Sequence, residues 1–227
     1  MNIEILYRPS YSMGVIRLNG GEGVQVEGGS MVSMSPGVQV ETRASGGLLK
    51  SLGRALLGGE SFFVNTYTAS AQGGEVMVAP ALPGDLVTLD LNGESLLVQS
   101  GSYVASESTI QVNTKWSGAK TFFASEGFIM LNVSGRGKVV LSSYGAIHEM
   151  VLAAGQSYTV DTGHLVAFTE GMGFHVRSIG GIKSTLFSGE GLVVDLTGPG
   201  RVLMQTRSTD AFIAWLTPHL PTPSSNS

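Results

Sequence analysis

One block recurs three times along the chain, and it limits the fold more than any other feature. A Gly-Gly or single Gly turn leads to a lysine, then to a Gly-Glu or Glu-Gly pair, then to an apolar strand. It reads GGLLKSLGRALLGGESFFVNTYT from Gly46, GAKTFFASEGFIMLNV from Gly118 and GGIKSTLFSGEGLVVDL from Gly180. The stretches before these blocks align as well, from Val15, Leu86 and His148. Each gives an apolar strand, then Gly21-Glu22, Gly93-Glu94 or Gly155-Gln156, then a strand entering a small polar turn at Val26 to Gly29, Val98 to Gly101 or Val160 to Gly163. Repeated units of this length cannot bury an apolar face alone, so they stack on one another. The expected fold is all-β, a single domain over 1–218. Its three repeats of antiparallel strands (roughly 13–85, 86–146 and 147–208) lie about a pseudo-threefold axis, with 219–227 as a disordered tail.

The strands show in the alternation of Val24-Gln25-Val26-Glu27, Val38-Gln39-Val40-Glu41 and Ile110-Gln111-Val112-Asn113. Period-two patterning marks a strand with one buried and one wetter face. Glycine makes up 32 of 227 residues, and only 13% of the chain is charged. That composition suits strands joined by tight turns. Short hairpins are expected at Gly73-Gly74, Gly135–Gly137 and Gly198–Gly200, and others closing on Val40, Val112 and Val176.

Two helices are expected. The first covers Leu48 to Leu57, inserted in the first repeat, where Leu48, Leu49, Leu52 and Leu56 share one arc and Lys50 and Arg54 face away. Three readings stay open for it: a lid on the domain's own core, a contact between subunits, or a membrane-surface contact. The second is TDAFIAWL, with Thr209 as N-cap, Asp210 at the positive end of the helix dipole and Pro218 as the stop.

The chemistry-bearing residues are few. The chain has no cysteine, which removes disulfides, thiolate nucleophiles and Cys-ligated metals. Its net charge of −4 argues against a nucleic-acid partner, which needs a basic face. No run is long enough for a membrane helix, and no secretory signal pattern opens the sequence, so a cytoplasmic location is expected. Hydrolase, kinase and zinc-protease motifs are missing, and the Gly-x-Gly pairs precede no helix. Of the four histidines, His148, His164, His175 and His219, the pair His164 and His175 fall in slots that hold ordinary polar residues in the other repeats, and these two are expected on one hairpin. Glu60, Glu126 and Glu190 are repeat-equivalent. Close to an axis they would hold a cation; away from it they are turn residues or partners of Lys50, Lys120 and Lys183. No catalytic residue and no cofactor are expected.

Four stretches together carry a family resemblance: LNGGE (Leu18 to Glu22), GGSMV (Gly28 to Val32), GGLLKSLGRALLGGESFF (Gly46 to Phe63) and GEGLV (Gly189 to Val193). The chain resembles the altered inheritance of mitochondria family, also called the mitochondrial biogenesis type, over roughly Met1 to Arg207. The resemblance implies a fold like that of the tryptophan RNA-binding attenuator protein, with internal repeats about a pseudo-threefold axis. It implies no enzyme activity and carries over no site residue. Fold does not fix function, so it does not imply RNA binding either. The function expected is that of an interaction or scaffold protein, a homo-oligomer with an unidentified protein partner. Its apolar contact lies around Leu48–Leu57 or Phe212–Trp215. The alternative is a small-ligand or cation-binding module with its site along the axis.

Overall fold

A computed structural model describes residues 1–43, 62–113, 129–179 and 192–221. The inserted helix with Leu48, Leu49, Leu52 and Leu56, the carboxylates Glu60, Glu126 and Glu190, and the lysines Lys50, Lys120 and Lys183 lie outside the described residues.

The first third holds β1 (Asn2–Leu6), β2 (Met13–Leu18), β3 (Gly23–Glu27), β4 (Met31–Met34), β5 (Gln39–Arg43), β6 (Val64–Thr68) and β7 (Gly74–Val78). The middle third holds β8 (Leu86–Gln99), β9 (Tyr103–Glu107), β10 (Ile110–Asn113) and β11 (Met130–Ser142). The last third holds β12 (Ile147–Leu152), β13 (Ser157–Asp161), β14 (Leu165–Thr169), β15 (Gly173–Ser178), β16 (Leu192–Thr197) and β17 (Gly200–Gln205), followed by the helix α1 (Thr209–Leu216). Every strand ladder is antiparallel. The strands form a four-stranded sheet (β1-β2-β7-β4), a ten-stranded sheet and a three-stranded sheet (β13-β16-β15).

Pairing follows one scheme along the chain. In the first third β2 and β4 flank β7, while β3 and β5 flank β6. In the last third β12 and β14 flank β17, while β13 and β15 flank β16. In the middle third β8, β9 and β10 all pair with β11. Here β8 and β11 each run through two strand positions. Gly93 and Gly135 allow this with φ of +114° and +127°, backbone bends that a residue with a Cβ resists.

This overturns two sequence-based expectations. The glycines at 135 and 137 make no turn, because they lie within β11. The outer glycine turns are not hairpins either. β6 and β7 sit in different sheets, as do β16 and β17, β4 and β5, and β14 and β15. Glycine there carries the chain between layers rather than back along one sheet. Period-two patterning reports burial on one face and is silent about which neighbour pairs with which strand.

The core has three clusters, and each crosses a boundary between thirds. Val104 and Ala105 of β9 pack with Ile16, Val24, Val26 and Val76 of the first third. Val166 and Ala167 of β14 pack with Leu96, Val98 and Leu131 of the middle third. Leu97 and Met130 of the middle third pack with Val160, Phe168 and Val194 of the last. Fully burying a side chain of this size contributes about 1.5–3 kcal/mol. The thirds are therefore cemented by side chains that insert into a neighbour's core.

A buried charge pins the passage from the first third to the middle one. The Asp85 carboxylate, before β8, accepts a bidentate pair of hydrogen bonds from Arg8, both 2.8 Å, and further bonds from Ser12 Oγ at 3.0 Å and the Leu86 amide at 2.8 Å. Burial pushes this carboxyl up, but Arg8, Ser12 and the Leu86 amide together hold it below the usual carboxylate range. Nearby, a Cβ on Gly84 would collide with the Ser143 carbonyl oxygen, so only glycine fits there.

Candidate functional site

Two surface features stand out: a cleft at which the turns after β3, β8 and β13 meet, and the helix beside it. The turns after β3, β8 and β13 occupy the same sequence position in each third. Gly28–Ser30, Ser100–Ser102 and Gly163 line one cleft of about 480 Å³. Leu82, Tyr144 and Gln205 complete its wall, and Asp210 and Ile213 of α1 stand at its rim.

Several of the cleft's polar groups are hydrogen-bonded. Ser30 Oγ donates to Glu27 at 3.1 Å. Gln205 donates to the Gly163 carbonyl at 2.9 Å and accepts from the Tyr144 amide at 2.8 Å. The Gly163 amide donates to Asp161 at 2.8 Å. Ser142 Oγ reaches the Ser102 carbonyl at 3.5 Å. A buried hydroxyl or amide must find such a partner or cost a few kcal/mol. The arrangement lines the cleft with backbone and small polar groups.

The second feature is α1. It forms where expected, but its N-cap is Ser208, not Thr209: the Ser208 hydroxyl accepts from the Ala211 amide, and Ser208 keeps the extended backbone a cap requires. Six of its eight residues are apolar, and none of the eight is buried. Its aromatic residues form a short ladder. Tyr144 meets Phe212 edge-on at 6.1 Å, Phe212 stacks near Trp215 at 6.2 Å, and Trp215 lies 5.1 Å from His219. Trp215 is nonetheless 62% exposed. The apolar Phe212–Trp215 surface expected from the sequence is therefore present.

The histidines do not converge. His148 and His175 are exposed on β12 and β15. His164 is in a short 3-10 turn, its Nδ1 2.7 Å from the Gln205 carbonyl. The His164–His175 hairpin expected from the sequence is absent, since β14 and β15 lie in separate sheets. His219 contacts the Trp215 carbonyl at 2.8 Å. Among the described residues no three His, Asp or Glu side chains could hold a metal ion. Nor is any helix there long and apolar enough to cross a membrane.

Sequence reasoning missed the cleft, although its signal was in view. The turns EGGS, QSGS and DTGH served to align the repeats. Equal turns in stacked units are brought to one face, which is a reason to expect them together.

The chain is 27% identical over 217 residues to an uncharacterised protein of Streptococcus pyogenes serotype M6, covering 92% of this chain and 87% of that one. It also matches an X-ray crystal structure of a Streptococcus pyogenes protein with a TM-score of 0.80 and 25% identity, covering 96% of this chain and 99% of the other. The family described as mitochondrial biogenesis AIM24 matches residues 3–207, which reaches all the strands and stops before α1, so the chain belongs to that family.

Proposed function

We propose that the protein is a non-enzymatic scaffold that self-associates into a homo-oligomer in the cytoplasm and presents its remaining surface to a protein partner. The exposed apolar face of α1 carries this reading. An amphipathic helix this short is marginal by itself and needs tertiary or quaternary burial to be worth forming. With Ile213 and Trp215 in solvent, the burial within one chain is incomplete.

We also read the three thirds as copies of one unit arranged by rotation about an axis through the cleft, in the manner of the attenuator-like folds. The recurrence of the pairing scheme supports this. A closed pseudo-threefold ring needs three junctions between units. Among the described residues two are made, β3 with β9 and β8 with β14, and the edges of β4 and β13 do not meet, so the ring is left open there.

A second reading has one observation in its favour. Equivalent turns from all three thirds line the same cleft, which is where a small ligand on the axis would sit. Native mass spectrometry from gentle to denaturing conditions tests both. A discrete multiple of 23.7 kDa with no added mass is expected. A bare monomer overturns the scaffold. A monomer with a stoichiometric adduct overturns it in favour of the ligand module.

A further inference from the structure

The two junctions inside the chain are the same junction. In the first, β3 pairs with β9, Val26 opposite Ala105 and Gln25 opposite Ser106. In the second, β8 pairs with β14, Val98 opposite Ala167 and Leu97 opposite Phe168. In both, the receiving strand carries a β-bulge one residue before its alanine. The bulged residue, Val104 or Val166, is 0% exposed and packs into the core of the preceding third. The first third has the matching strand in β4, with the matching bulge between Met31 and Ser33. The last third has the matching donor strand in β13. Among the described residues, β4 pairs only with β7 and β13 pairs only with β16.

Exposure follows the missing partner. Val32, the counterpart of Val104 and Val166, is 54% exposed. Met31 and Met34 are exposed where Tyr103, Ser106, Leu165 and Phe168 are buried. On the other side Tyr158 is exposed where Val24 and Leu96 are fully buried. Such edges, long enough to pair and apolar, are usually covered in native proteins.

We propose that β13 of one copy pairs antiparallel with β4 of a second copy, repeating the internal junction between chains. The four-stranded and three-stranded sheets then join into one. In register with the internal junctions, Val160 faces Ser33 and Thr159 faces Met34, and Val32 enters the neighbour's last-third core beside Val160 and Val194. The contact is head-to-tail: each copy gives one edge and receives the other. Successive copies therefore close into a ring or extend as a filament. The inference rests on the self-association reading above and names its surface.

The absence of native cysteine makes cross-linking clean. Met34→Cys and Thr159→Cys chains, carrying different tags, are co-expressed and oxidised. Opposite residues of an antiparallel pair lie within disulfide range. The expected product is a covalent dimer containing both tags, absent when either chain is alone. Native mass of Val32→Asp should fall from the oligomer to the single chain with an unchanged circular dichroism spectrum. Three results overturn the proposal while leaving self-association intact: an oligomer with no mixed cross-link, a Met34→Cys homodimer, or an oligomer that Val32→Asp does not dissociate. A Met34→Cys/Thr159→Cys chain cross-linked only within itself also overturns the proposal, since the two edges then meet in one chain, and leaves self-association through α1 standing; a wild-type monomer removes both readings.

Discussion

The junctions inside the chain and the two outer edges are built from the same strands with opposite surroundings. β9 and β14 are covered on both sides, and their bulged valines fill a neighbour's core. β4 has the same bulge and the same apolar character, yet its side chains face solvent. The contrast separates two roles that one sequence pattern serves. A bulged apolar strand inside the chain stabilises the fold; the same strand at its end is available to another molecule. What differs is whether a preceding unit is covalently attached to cover the strand.

The largest expected effect tests this contrast directly. Val166→Asp or Val104→Asp places a charge in a fully buried junction, and the domain should lose more than about 4 kcal/mol or fail to fold. Val32→Asp, at the equivalent position of the outer edge, should change the single chain's unfolding free energy, measured by urea denaturation, by less than about 0.5 kcal/mol. Equal loss at all three sites would break the comparison, since it would mean that Val32 is already buried within one chain.

Next comes the hinge of the first inner junction. Arg8→Ala leaves the buried Asp85 carboxylate without its guanidinium, at a cost of about 2–3 kcal/mol, below the full buried-pair range because Arg8 is half exposed. The folded pKa of Asp85 is depressed, so its contribution is complete above the unfolded value of about 4 and is lost as pH falls through the folded value. The gap in Tm between wild type and Arg8→Ala should therefore be widest near neutrality and narrow in acid. A gap that is constant with pH would show that Arg8 acts by packing alone.

Smaller effects belong to the outer elements. Ser208→Ala removes the α1 cap, and its cost should be about 1 kcal/mol or less, seen as reduced helicity with the strands intact. On the outer three-stranded sheet, Arg177 and Thr159 hydrogen-bond Asp195 from the strands on either side and hold its carboxyl down at about 2. That contribution is present above pH 4 and lost as pH falls toward 2. The loss should be small, because the pair is exposed, and absent in Asp195→Asn when unfolding is followed by Tm. A larger acid loss at Asp195 than at Asp85 would reverse the ranking of edge and junction.

Much of this protein was determined by its sequence alone. Alternation placed the strands: Val24 and Val26 are buried and Gln25 is not, as period two requires. Pattern and glycine turns are local properties, so they are legible locally. The terminal helix and its apolar face were equally visible, because capping and helical period act within a few residues.

Tertiary structure decided the rest. Only the assembled sheets show that β4 and β5 part into different layers, that β8 and β11 each run straight through two strand positions of the middle third, and that the three polar turns share one cleft. The same holds for Asp85, whose partner Arg8 is far away in sequence. Above all, Val32, Val104 and Val166 are the same residue in the same kind of bulge, and no local rule distinguishes them. Burial depends on what the next unit in space supplies, and the chain supplies that unit for two of them and not for the third.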